Sequence, residues 1–207
     1  MSGIISQNAA NSTGLIKAAA AGGAWTKIKT LTASSSADLS FVDGTSDVVL
    51  DSTYPIYVFE FINMHPATNN VNFTFNMSID SGSNYNVTKT PTFFQASNDE
   101  AAASGSLNYE AGRDLVQSTA DQMLHSGVGG DNDQVCAGLL YLLAPSDTAY
   151  VKHFFYQGSN AHQADAHLQQ FVGGYGNTTS AVDAVQFKMS SGNIDAGTIK
   201  LYGLAGS

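Results

Sequence analysis

Two histidines flank an aspartate in Asn160-Ala161-His162-Gln163-Ala164-Asp165-Ala166-His167, and imidazole and carboxylate donors of this kind can hold a transition metal. The spacing works against it. Residues five apart point to opposite faces of a strand and do not meet on a helix, so ligation would need a loop wrapped round the ion. A polar loop of ordinary residues is the expectation, with no metal. His65 precedes Pro66 after an extended run and reads as a turn imidazole bonded to backbone. His153, beside Phe154 and Phe155, reads as a partly buried aromatic in a strand, and neither has a partner in sequence.

Paired acids at Asp99-Glu100 and Asp131-Asn132-Asp133 are where glycosidase chemistry would be sought. Neighbouring side chains on an extended chain diverge, and no spacing rule brings two of these acids together. The Asp131 triplet has oxygen donors suited to calcium, yet the glycine and distal glutamate of an EF-hand loop are missing. Nucleophile elbow, phosphate loop, zinc pair and dinucleotide fingerprint are all absent, and the glycines at 127–130 and 173–176 read as turns. The expectation is therefore no catalytic residue, no cofactor and no enzyme. Tyr85, Tyr109, Tyr156 and Tyr175 stand among small polar residues, and exposed tyrosines can stack on sugar rings. Tyr109 and Tyr175 are the candidate glycan contacts, the other reading being that such residues pack in the core or between subunits.

The elements that must carry these residues are strands. In Val71-Asn72-Phe73-Thr74-Phe75-Asn76-Met77-Ser78-Ile79-Asp80 every odd position is apolar and every even one polar, the period of a strand with one dry and one wet face. Residues 25–33, 37–42, 135–144, 150–157, 168–175, 182–189 and 198–204 read as further strands. Residues 54–63 are apolar on both faces and belong in a sheet interior. Asp43-Gly44 suits a tight turn, and Asp80-Ser81-Gly82-Ser83 and the 190–197 stretch read as hairpin connections. The strand at 85–94 contains Pro91, which favours an edge or bulge. Residues 95–130 are least strand-like, and the loosely helical spacing of Leu115, Val116, Ala120, Met123 and Leu124 fits a short helix or a structured insertion within 114–124. Many short strands and little helix predict an antiparallel β-sandwich, jelly-roll-like, over 25–207. Residues 1–24, rich in Ser, Asn, Ala and Gly, read as an extended N-terminal arm, either a floppy terminus or an anchor that orders on a neighbouring subunit through Ile4, Ile5, Leu15 and Ile16.

Composition narrows the partners. With 207 residues, 43% of them hydrophobic, the chain can bury a full core. Only 12% are charged, about half the usual share, so Ser, Thr, Asn, Gln and Gly must supply the polar surface. A net charge of −9 with eight scattered Lys and Arg argues against nucleic acid. No apolar run approaches the roughly 18 residues that span a bilayer, and no targeting segment stands out. A soluble, unprocessed chain with no membrane partner is expected. The one cysteine, Cys136, lies in an apolar run and reads as a buried, inert thiol. Asn-X-Ser/Thr triplets at Asn11, Asn72, Asn76, Asn86 and Asn177 follow from composition.

Three stretches carry a resemblance: Tyr57-Val58-Phe59-Glu60-Phe61-Ile62-Asn63-Met64-His65-Pro66-Ala67-Thr68, then Asp80-Ser81-Gly82-Ser83-Asn84-Tyr85, and the run from Ala181 to Gly203 with its Ser190-Ser191-Gly192-Asn193 turn and Tyr202-Gly203 end. Together they resemble a family of small structural proteins of tailed bacteriophages, over nearly all of residues 25–203. The resemblance implies a virion component and brings no enzymatic residues. It leaves two readings open. One is a capsid decoration protein, trimeric, bound to the major capsid protein through the arm; the other is a tail or head fibre module that binds host glycan.

Overall fold

The computed structural model describes residues 25–101 and 104–205, and these form strands with no helix among them. The arm at 1–24, with Ile4, Ile5, Leu15 and Ile16, lies outside the described residues. In chain order the strands are β1 (Trp25–Thr32), β2 (Leu39–Val42), β3 (Ile56–Pro66), β4 (Val71–Ser78), β5 (Lys89–Asp99) and β6 (Gly105–Tyr109). They continue as β7 (Gln122–Val128), β8 (Cys136–Leu143), β9 (Lys152–His162), β10 (Ala166–Gly176), β11 (Ala184–Met189) and β12 (Ile194–Leu204).

All pairings between these strands are antiparallel. Eight strands make one layer in the order β1-β12-β3-β8-β9-β10-β5-β6, and β2-β11-β4-β7 make the other; they join where Val128 of β7 meets His162 of β9. From β1 to β5 the chain changes layer at every connection, and it does so again around β7 and β11. This is the winding of a jelly-roll-like antiparallel sandwich, as the alternation predicts.

Aromatic side chains from both layers fill the space between them. Phe187 of β11 lies 5.1 Å from Phe59 and 4.9 Å from Phe61, both on β3, between ring centroids. It also packs on Phe41, Phe73 and Phe75 of its own layer. Phe75 of β4 meets Phe154 of β9 edge-on at 4.9 Å. Tilted and edge-on rings of this kind add to the burial of large apolar area. Cys136 is part of this core, and burial pushes its thiol pKa up.

Four expectations need correcting. The helix alternative within 114–124 does not form: most of the segment is irregular, residues 122–124 open β7, and Val116 is exposed. Spacing that suits a helical face also suits a loop leading into a strand. The polar face of β4 is not wet, because Thr74, Asn76 and Ser78 are all buried. The 117–121 segment crosses that end of the strand, and Thr119 and Asp121 both accept bonds from Asn76. The turns at 80–83 and 190–193 are not hairpins: β4 does not ladder with β5, nor β11 with β12, so each turn hands the chain to the other layer. The tight turn expected at Asp43-Gly44 does form, closed by the Thr45 N–H on the Val42 carbonyl at 3.1 Å, and it leads from β2 to β3. The actual hairpins are β5–β6, β8–β9 and β9–β10.

The Pro91 expectation holds. It pairs with Gly174 on one side, while β6 reaches only as far as Phe94 on the other. Lys89 and Phe93 aim their backbone groups at Ser118 and Glu110 on that second side, so the missing donor of Pro91 faces the gap between them.

Candidate functional site

Strand pairing assembles a surface that no single segment shows. Leu139, Gln157, Phe171, Phe94 and Tyr109 form one row across β8, β9, β10, β5 and β6. Tyr141, Phe155, Gly173 and Thr92 form the next. Both rows lie on the face turned away from the core. Phe94 stacks on Phe171 at 4.8 Å and 10°, and Tyr141 on Phe155 at 4.6 Å and 14°. Phe94 and Phe155 remain 41% and 47% exposed. At the open edge Leu107 and Tyr109 of β6 are 72% and 57% exposed.

No outward position of these five strands holds Lys, Arg, Asp or Glu. Charge returns only at the margins. Asp114 accepts a bond from the Tyr109 hydroxyl. On the other side Glu60 of β3 meets Lys200 of β12 at 3.5 Å. An exposed, uncharged face with paired aromatic rings is the candidate contact surface of the described residues, since a monomer gains nothing by wetting it.

Behind this face lies a buried polar chain. His125 of β7 is fully buried, with Nδ1 2.6 Å from Gln170 Oε1, and the Tyr156 hydroxyl bonds its Nε2. Gln170 is an acceptor there, so Nδ1 carries the proton and Tyr156 donates to Nε2. The Gln170 amide then donates to Gln95 Oε1 at 3.1 Å and Ser126 Oγ at 2.8 Å, and Arg113 donates to the same Gln95 oxygen. Burial drives the His125 pKa down to about 4. Burial also raises that of Tyr156, so both stay neutral. Gly138 and Gly158, paired across β8 and β9, leave room for the Tyr156 hydroxyl; a Cβ on Gly158 would stand 1.8 Å from it. The chain is closed to substrate, and its effect is to tie β7 of one layer to β9, β10 and β5 of the other beneath the aromatic face.

Of the residues singled out in the sequence, Tyr109 and Tyr175 lie on this face but apart, since Tyr109 is opposite Phe94 and Tyr175 is opposite Thr90. Tyr156 points inward, contrary to a sugar-stacking role. His153 is exposed on the same outer face, 6.2 Å from Tyr175, rather than partly buried as expected, because its position alternates with buried Lys152 and Phe154. His162 and His167 turn to opposite sides of the β9–β10 hairpin. His162 sits against Gly127, while His167 Nε2 is 2.9 Å from Ser159 Oγ. His65 bonds the Asp131 carbonyl at 3.3 Å and lies 3.6 Å from Asp195. Asp131 and Asp133 are exposed in their loop. Among the described residues no three His, Cys, Asp or Glu side chains converge, and no helix is long and apolar enough to cross a membrane.

His125 escaped the sequence reading because it falls in the stretch that lacks alternation, and its side-chain partners come from residues 156 and 170. The aromatic face escaped it because Phe94, Phe155 and Phe171 are each one apolar residue in an ordinary strand. No protein-family model, curated protein or solved structure matches this chain.

Proposed function

We propose that the protein is a structural component of a tailed-phage particle, a trimeric decoration protein that binds the assembled shell of major capsid protein and stabilises it. The observation that carries this reading is the uncharged aromatic face of β8-β9-β10-β5-β6, backed by the buried His125 chain. Its rings give area for a protein neighbour, and the absence of charge spares the neighbour the cost of burying an unpaired ion. The family likeness of 57–68, 80–85 and 181–203 supports a virion setting. The arm at 1–24, with Ile4, Ile5, Leu15 and Ile16, supplies the anchor. Binding the closed shell and not its separated subunits stabilises the shell by mass action.

The test is cosedimentation of the full chain with purified particles, with copies per particle counted. Hundreds of copies are expected. Phe94→Ser with Phe155→Ser, and separately deletion of 1–24, should each abolish sedimentation while leaving the β-sheet circular dichroism intact. Undiminished binding by both variants overturns the reading. The exposed Tyr109 and stacked Tyr141–Phe155 pair favour a second reading, a fibre module whose face packs on host sugar rings. A few copies per particle together with saturable binding to host polysaccharide would select it.

A further inference from the structure

We propose that Lys89, Asn76 and Asp121 form an intramolecular amide-bond site, in which the Lys89 amine attacks the Asn76 side-chain carboxamide and joins β5 to β4 covalently. The three residues come from different parts of the chain, and each is placed for one part of the reaction. Lys89 is fully buried, and its Nζ lies 2.5 Å from Asn76 Oδ1 and 2.7 Å from the Val87 carbonyl. Among the described residues no carboxylate bonds it. A buried ammonium paired only with neutral oxygens is costly, which favours the free amine. Burial lowers its pKa to about 8, against an opposing pull from the Asp121 charge.

Asn76 is 2% exposed and its orientation is set by its partners. Its Oδ1 accepts the Met77 backbone N–H at 2.9 Å, while its Nδ2 donates to Asp121 Oδ1 at 2.9 Å and to the Thr119 carbonyl at 3.0 Å. The carbonyl carbon is thereby polarised from the oxygen side by a fixed donor, and the amide nitrogen rests on a carboxylate. Lys188 Nζ, 2.7 Å from Asp121 Oδ2, holds that carboxylate in place.

The step balances without oxidant or cofactor. The Nζ lone pair forms the Nζ–Cγ bond, and the carbonyl electrons move onto Oδ1, held by the Met77 N–H. In the adduct Nζ and Nδ2 share one carbon, and Asp121, whose Oδ1 already bonds Nδ2, relays the Nζ proton to the departing nitrogen. Collapse of the adduct breaks Cγ–Nδ2 and releases ammonia, leaving a secondary amide. Asp121 borders a surface groove with Thr74, Met123 and Lys188, which gives the ammonia a way out. Because β5 belongs to the eight-strand layer and β4 to the other, the new bond staples the sandwich across its two sheets. This inference stands apart from the particle reading.

The test is the intact mass of the full chain, folded, held above pH 8 and then denatured. The wild type should be lighter than its sequence mass by one ammonia, and tandem fragmentation should join the peptide holding Lys89 to the one holding Asn76. Lys89→Arg and Asn76→Ala should keep the full sequence mass, and Asp121→Asn should fold yet lose ammonia far more slowly. The wild-type mass and the joined peptide do not depend on whether the variants fold. A wild-type chain that keeps its full sequence mass after prolonged incubation, or a loss of ammonia mapped to other residues, overturns the proposal.

Discussion

Acidification should destabilise this protein chiefly through one residue. His125 is fully buried and neutral, with its pKa held down to about 4 by burial, against an ordinary value of about 6.5 in the unfolded chain. Above pH 6.5 neither state binds the proton, and the full stability is present. As pH falls below 6.5 the unfolded chain takes up a proton that the native state refuses, so stability drops until pH reaches about 4, where the native imidazole also titrates. The shift corresponds to a loss of about 3 kcal/mol over that window, a large part of the roughly 5–15 kcal/mol that holds a domain folded. Tyr156, whose hydroxyl bonds Nε2, is kept neutral by burial and does not offset the effect. His162, also lowered by burial, adds in the same direction, which is why the measurement is a difference. Urea unfolding of wild type and His125→Gln at pH 7 and pH 4.5 should show a markedly steeper loss for the wild type. Proton NMR should place the His125 ring titration near pH 4. Equal pH slopes in the two proteins, or a ring that titrates near 6.5 in the folded state, would refute the reasoning.

Phe187→Ala removes the ring at the centre of the aromatic core and should lower stability by about 3–5 kcal/mol, read as a fall in Tm with unchanged binding of the outer face. Gly158→Ala drives a methyl into the Tyr156 hydroxyl and should cost about 1–3 kcal/mol while exposing the His125 ring to proton uptake nearer its ordinary pH, seen in the same NMR titration.

The strands themselves were legible because a strand writes itself locally: alternation at 71–79, the double apolar face at 56–62 and the closing 198–204 run each reflect side chains that point to alternate sides of one segment. A turn sequence likewise announces a reversal. It does not say which strand the reversed chain will pair with, and the Gly82 and Gly192 turns therefore looked like hairpins although they cross between layers. The buried polar side of β4 had the same cause. Asn76 reads as a solvent-facing residue until the 117–121 segment, some forty positions away, covers it.

From the sequence alone came an all-β chain of low charge, an inert core cysteine, and the absence of any spacing that gathers catalytic groups. Tertiary structure decided the rest. Ladder register alone lines up Tyr109, Phe94, Phe171 and Gln157 into a surface. Layer packing alone brings Lys89 and Asp121 to Asn76, and Gln170 and Tyr156 to His125. Side-chain alternation is a property of neighbours along the chain, whereas burial, pKa and reactivity depend on what a distant strand sets against a residue. In an antiparallel sandwich most such contacts are distant.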